Sequence, residues 1–125
     1  MLQILLVAFG GAVGSVCRYL VGVGALRLMS PAFPWGTLAV NVAGSFAIGI
    51  LAELIVARFG ASTELRLLLI TGFLGGFTTF SAFALDAVTL FERGASLAAA
   101  TYLILSIGAS IAAAIAGIGL MRSLL

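Results

Sequence analysis

The chain has 125 residues, 63% of them hydrophobic and 8% charged, with a formal net charge of +2, whereas soluble domains run near half apolar and a quarter charged. So few charges cannot clothe a water-soluble fold, so lipid is the solvent, and at roughly 20 residues per spanning helix the length allows one domain (1–125) of four spans with short loops. The absence of histidine and a single cysteine, Cys17, exclude a zinc site, a His-based triad and an intrachain disulfide, and six scattered arginines offer no basic patch to nucleic acid.

The charges mark the spans, expected at about 2–27, 35–57, 65–91 and 96–122. An open sheet edge is not tolerated in lipid, and so short a chain cannot close a barrel alone, so the spans read as helices and the fold as all-α. The first span lacks a basic n-region and an A-x-A site, so it is read as retained rather than as a signal peptide. Gly10 and Gly14 form a small-xxx-small pair that points to close helix packing. Phe9 to Gly14 is no dinucleotide fingerprint, since Phe9 stands where the first glycine belongs and the run lies in lipid. Arg18 is costly inside a span unless it snorkels to the interface or meets an anion in a vestibule. Ser30-Pro31-Ala32-Phe33-Pro34 is a turn, because proline lacks a donor and restricts the residue before it.

The second span carries Thr37, Asn41 and Ser45 at i, i+4 and i+8, a polar stripe on one face, and ends at Glu53 and Arg58. Gly60 to Glu64 forms the second loop. The third span is uncharged from Leu67 to Leu85 and closes at Asp86. Its run Gly72-Phe73-Leu74-Gly75-Gly76-Phe77-Thr78-Thr79-Phe80-Ser81 sets three glycines and three hydroxyls at mid-membrane. Each glycine destabilises a helix interior by about 1 kcal/mol relative to Ala, so either a break or a tightly packed glycine face is expected. Carbonyls freed by a break can coordinate a cation, and the new helix N-terminus favours anions. Phe80 and Phe83 follow at i, i+3, and their positive ring edges could hold a small hydrated anion without a fixed cation. After the loop Glu92-Arg93-Gly94, the fourth span carries Tyr102, Ser106 and Ser110 at the same four-residue spacing. The two stripes could line one narrow polar groove, or simply bond helix to helix.

Orientation is nearly undetermined by charge. The side shared by the N-terminus, second loop and C-terminus holds Arg58, Arg66 and Arg122. The other holds Arg27 and Arg93, with Arg18 if it snorkels. The positive-inside rule needs an excess on one side. Either one loop charge dominates, or the chain inserts both ways round and pairs as an antiparallel dimer.

Three motifs together resemble the Fluc (CrcB) fluoride channels: Gly10-Gly11-Ala12-Val13-Gly14-Ser15 with Arg18-Tyr19, Gly36-Thr37-Leu38-Ala39-Val40-Asn41-Val42-Ala43-Gly44-Ser45-Phe46, and Gly72 through Phe83. Length and the four-span layout match from end to end. The resemblance implies a passive fluoride channel of the bacterial inner membrane, exporting fluoride through two antiparallel pores of a dual-topology homodimer embedded in membrane lipid. It implies Asn41 as a pore amide, Phe80 and Phe83 as the aromatic pair lining the path, Thr37 in the fluoride path, and Tyr102, Ser106 and Ser110 as a hydroxyl track. It further implies Arg18 in a vestibule, and a structural sodium ion held at the dimer interface by the Gly75 and Thr78 backbone carbonyls. Fluoride enters an acid-stressed cell as its neutral acid and ionises inside, and the inside-negative potential then drives the anion outward without another energy source.

Two other readings stand beside this one. A small dual-topology proton-coupled multidrug transporter would need an acid deep in a span, whereas Glu53, Glu64, Asp86 and Glu92 are expected at span ends or in loops. In a non-transporting assembly subunit the polar stripes would serve packing alone.

Overall fold

A computed structural model describes residues 1–125, all of it helix and connecting turns. The elements are α1 (Leu2–Leu28), α2 (Trp35–Arg58), α3 (Thr63–Leu65), a π-helical stretch (Arg66–Leu74), α4 (Gly75–Phe77), α5 (Phe80–Glu92) and α6 (Ser96–Leu124). Four helices are long and apolar enough to cross a membrane: α1, α2, the third span Thr63–Glu92, and α6. The molecule is a multi-pass membrane protein.

The turns follow from local chemistry. Ser62 opens the third span by accepting a hydrogen bond from the Leu65 N–H at 3.2 Å, which satisfies one of the free donors of a helix start. Gly94, at φ +77°, turns the chain between α5 and α6, a conformation that costs glycine nothing. Between α1 and α2, the Ser30 hydroxyl accepts from the Ala32 N–H, and Arg93 reaches across to the Ala32 carbonyl.

The helices pack as two parallel pairs, and glycines set both registers. Gly10 leaves no room for a Cβ against the Leu68 carbonyl, and Gly14 none against the Phe73 carbonyl. In return, a Cβ at Gly76 would meet the Gly11 carbonyl and Ser15. The small-xxx-small pair of α1 therefore seats the third span at backbone contact, where dispersion replaces the absent hydrophobic force. On the other pair, Gly49 of α2 lies against the Ala114 carbonyl, and Gly117 of α6 lies against the Phe46 carbonyl. Arg122 completes that pair with a hydrogen-bonded ion pair to Glu53 at 2.7 Å. It is solvent-exposed and contributes little stability.

Only 14 of the 125 residues are buried, among them Val40, Ile55, Leu74, Phe83, Leu90 and Tyr102. Large apolar side chains such as Phe9, Ile104 and Ile115 point outward instead, as lipid or protein neighbours allow. The third span corrects two expectations. Its break falls at Thr78–Thr79, after the glycines rather than within them. Gly72 and Gly76 belong to the packed face against α1, so the glycine run is both a packing face and the approach to a break. Asp86 does not close the span but sits within α5, which continues to Glu92.

Candidate functional site

Two extended residues interrupt the third span. Thr78 (φ −89°, ψ 160°) and Thr79 (φ −154°, ψ 120°) separate α4 from α5. In a membrane every freed backbone group must find a partner or line a cavity, and side chains from α1 and α2 supply three of them. Leu74 O accepts from both the Thr78 N–H at 2.9 Å and the Thr78 hydroxyl at 2.8 Å. Gly76 O accepts from Arg18 Nε at 3.0 Å. Thr79 is held at both its groups: its N–H donates to Asn41 Oδ1 at 2.8 Å, and its carbonyl accepts from Asn41 Nδ2 at 3.0 Å. The Thr79 hydroxyl accepts from the Ala82 N–H and so caps α5. Neither the Gly75 nor the Thr78 carbonyl receives a side-chain hydrogen bond.

Arg18 thus turns inward, half-buried, with its Nε on the end of α4. A cation at a helix C-terminus is favourable because the last carbonyls carry partial negative charge. Its guanidinium retains four further N–H donors and lines a cavity of about 730 Å³. That vestibule also takes in Thr37, Trp35, Asp86 and Arg93.

A second cavity of about 410 Å³ opens on the other side of the break, with Asn41, Gly75, Thr78, Phe80, Phe83, Ser106 and Ser110 in its wall and no charged side chain. The Phe80 and Phe83 rings lie 5.6 Å apart and tilted by 54°. Phe83 is buried, while Phe80 is 80% exposed on the molecular surface. The Ser106 and Ser110 hydroxyls are buried and meet no partner within the chain, and a buried donor without a partner is costly.

The structure therefore divides the two stripes of the sequence. Asn41, Ser45, Ser106 and Ser110 share the uncharged groove, whereas Thr37, one turn before Asn41, faces the vestibule. Ser45 is occupied locally, bonding the Asn41 carbonyl at 2.6 Å. Tyr102 lines neither cavity. It is fully buried, wedged between Phe83 at 5.3 Å and the edge of Phe33 at 5.5 Å, and its hydroxyl donates to Asp86 at 3.1 Å. Three residues escaped the sequence reading: Thr79, Asp86 as the Tyr102 partner, and Phe33. Thr79 carried a usable signal, since a threonine after a glycine run and before an apolar stretch is a favoured N-cap. Phe33 and Asp86 carried none, because their roles depend on where the turn and α5 fold back.

In chemical terms the vestibule presents fixed charge of both signs, and the groove presents hydroxyl donors and ring edges alone. Such a groove can stabilise a small anion by O–H donation and by the positive ring edge, while holding it weakly enough for release.

Comparison with known proteins places the whole chain. The family model for CrcB-like protein, Camphor Resistance (CrcB), matches residues 5–118. The chain is 67% identical over 124 residues to the fluoride-specific ion channel FluC of Rhizobium etli, covering 99% of both chains. It is 62% identical over 124 residues to the protein of the same name from Agrobacterium fabrum, again with 99% of each covered. A third relative of that name, from Chelativorans sp., is 54% identical over 125 residues and covers 100% of both. The chain belongs to the CrcB-like family.

Proposed function

We propose that this chain is a fluoride-selective ion channel of the bacterial inner membrane, working as an antiparallel dual-topology homodimer and letting fluoride leave the cytoplasm passively. The observation that carries the reading is the uncharged groove, where the buried Ser106 and Ser110 hydroxyls lack partners beside the Phe80–Phe83 rings. Relatives up to 68% identical that are named fluoride-specific ion channels support it.

The vestibule gathers the anion. Arg18 and Arg93 attract it through water, while Asp86, neighboured by the Tyr102 hydroxyl, limits how tightly it is held. In the groove, hydroxyls replace part of the hydration shell as the ion leaves water, and the ring edges of Phe80 and Phe83 supply the remaining positive potential. No covalent step is needed, so the protein acts as a channel and not as an enzyme. The inside-negative membrane potential sets the outward direction for an anion.

Two features favour the dimer. The arginines other than Arg18 divide almost evenly between the membrane faces, Arg58, Arg66 and Arg122 against Arg27 and Arg93. Phe80, one of the two groove rings, is left at the surface, where a second copy would cover it. The Gly75 and Thr78 carbonyls fit a sodium ion chemically: both are hard oxygen donors at the break, free of side-chain hydrogen bonds. A bound sodium would supply positive charge that ties the broken span to its partner copy.

Purified protein in fluoride-loaded liposomes tests the reading. The expected result is fast electrogenic fluoride efflux with chloride excluded, lost slowly when sodium is replaced by a large organic cation. Proton flux dependent on an added drug, or no flux at all, would overturn it.

A further inference from the structure

Thr79 is the one residue that lines both the vestibule and the groove. It belongs to the wall of a charged compartment and of an uncharged one, and its backbone is extended, so no helical partner satisfies its N–H and carbonyl. On the third span only its hydroxyl is engaged, capping Ala82 and meeting the Ser81 hydroxyl at 3.5 Å. What holds it is a side chain from α2: the Asn41 amide meets the Thr79 N–H and carbonyl together, at 2.8 and 3.0 Å. The amide acts as a neighbouring strand would, accepting from one residue's N–H and donating to the same residue's carbonyl.

We infer that Asn41 is a positioning residue for permeation: it fixes Thr79 as the septum between the two cavities, and with it the direction in which α5 presents the Phe80 and Phe83 rings. The geometry leaves little slack. Gly44, one turn along α2 from Asn41, admits no Cβ against the Thr78 methyl group, so α2 and the break approach each other closely at this level. Asn41 Oδ1 and one Nδ2 hydrogen are committed to Thr79, leaving a single N–H for any ion in the groove. The neighbouring hydroxyl cannot substitute, because Ser45 is bonded to the Asn41 carbonyl within α2.

The inference rests on the channel reading for its transport measurement, and hydrogen exchange supplies a measurement that does not. In wild-type protein in lipid nanodiscs, the Thr79 amide should exchange slowly although its residue lies outside any helix. In Asn41→Ala its exchange should accelerate by about tenfold or more, as expected for loss of a partly buried hydrogen bond, while amides of α2 and α5 beyond the first turn stay protected. Equal Thr79 exchange in the two proteins would overturn the inference whether or not the protein conducts fluoride. For transport, the amide of Thr79 is replaced by an ester, which removes its N–H, leaves the Asn41 side chain intact and weakens the Thr78 carbonyl as a ligand, so efflux is compared at saturating sodium. If Asn41 acts by holding Thr79, the ester alone slows fluoride efflux by about tenfold, and adds nothing further in an Asn41→Ala background. An ester that conducts like the parent, or losses that multiply in the combination, would show that Asn41 acts independently of Thr79. Absence of fluoride flux in the parent would sink the channel reading alone, leaving the exchange result to decide the brace. Size-exclusion chromatography of each variant checks that the fold and assembly are intact.

Discussion

The vestibule and the groove share one lining residue, Thr79, and differ in size and in charge. The vestibule is the larger, at about 730 Å³ against about 410 Å³, and contains Arg18, Asp86 and Arg93, whereas the groove wall has no charged side chain. Two of the charged groups in the vestibule wall are paired, Arg18 with Gly76 O and Asp86 with Tyr102. In the groove, two serine hydroxyls are buried and unpaired. A compartment in contact with water can carry charge because water screens it and the charge stays solvated. A narrow one cannot, since a fixed guanidinium there would bind an anion too tightly to pass it on. On the proposed reading, the molecule attracts with fixed charge in the vestibule and selects with dipoles in the groove.

Substitution of the rings breaks this comparison most severely. Phe83→Ile keeps the apolar bulk near Tyr102 and removes the ring edge. Fluoride efflux from liposomes is expected to fall by about a hundredfold, equivalent to roughly 2.7 kcal/mol on the barrier, with no dependence on ionic strength. Efflux within a fewfold of the parent would mean that the groove works through its hydroxyls alone.

Arg18 allows the two halves of a charge's role to be separated. Arg18→Gln removes both the attraction for anions and the charge-assisted bond to Gly76 O, so efflux should drop by about tenfold at low salt, and stability by roughly 2 kcal/mol. Arg18→Lys restores the positive charge but not the directed Nε–H. Its efflux at low salt should return toward the parent value, while its thermal midpoint stays near that of Arg18→Gln. Because water screens the vestibule, the difference in efflux between Arg18 and Gln should shrink as salt rises. An unchanged difference at high salt would place Arg18 in the dehydrated path instead.

How far these compartments could be read from the sequence depends on whether a residue acts through its own helix or through one far away in the chain. The four spans, the Gly10–Gly14 packing face and the polar stripes all repeat along single helices, so spacing revealed them. The break was expected from Gly72, Gly75 and Gly76, yet it lies at Thr78–Thr79. Propensity registers that a glycine weakens a helix, but close packing against α1 compensates at Gly72 and Gly76, and the interruption falls where Asn41 and Arg18 can satisfy the freed groups. The division of the stripes was hidden for a related reason. Thr37 and Asn41 lie on the same face of α2, but the extended Thr79 bonds Asn41 and belongs to the walls of both cavities, and only the folded chain places it there.

The smallest expected effect is also the sharpest test of the contrast between paired and unpaired groups. A buried hydroxyl without a partner destabilises a protein, so removing it should stabilise the fold. Ser106 is 6% exposed, and its hydroxyl meets no acceptor or donor in the chain. Ser106→Ala is therefore expected to raise stability by about 1 kcal/mol, seen as a higher thermal midpoint in nanodiscs without fluoride. On the proposed reading the same change removes a donor to the passing ion, so efflux should fall by about fivefold. Tyr102→Phe serves as the paired counterpart: its hydroxyl is bonded to Asp86, and its loss leaves that carboxylate without a donor, so stability and efflux should fall together. A group retained for packing loses stability when it is removed, whereas a group retained for an ion gains stability and loses transport. Opposite signs for Ser106→Ala would assign its hydroxyl to the passing anion, and a loss of stability in both variants would assign it to helix contacts.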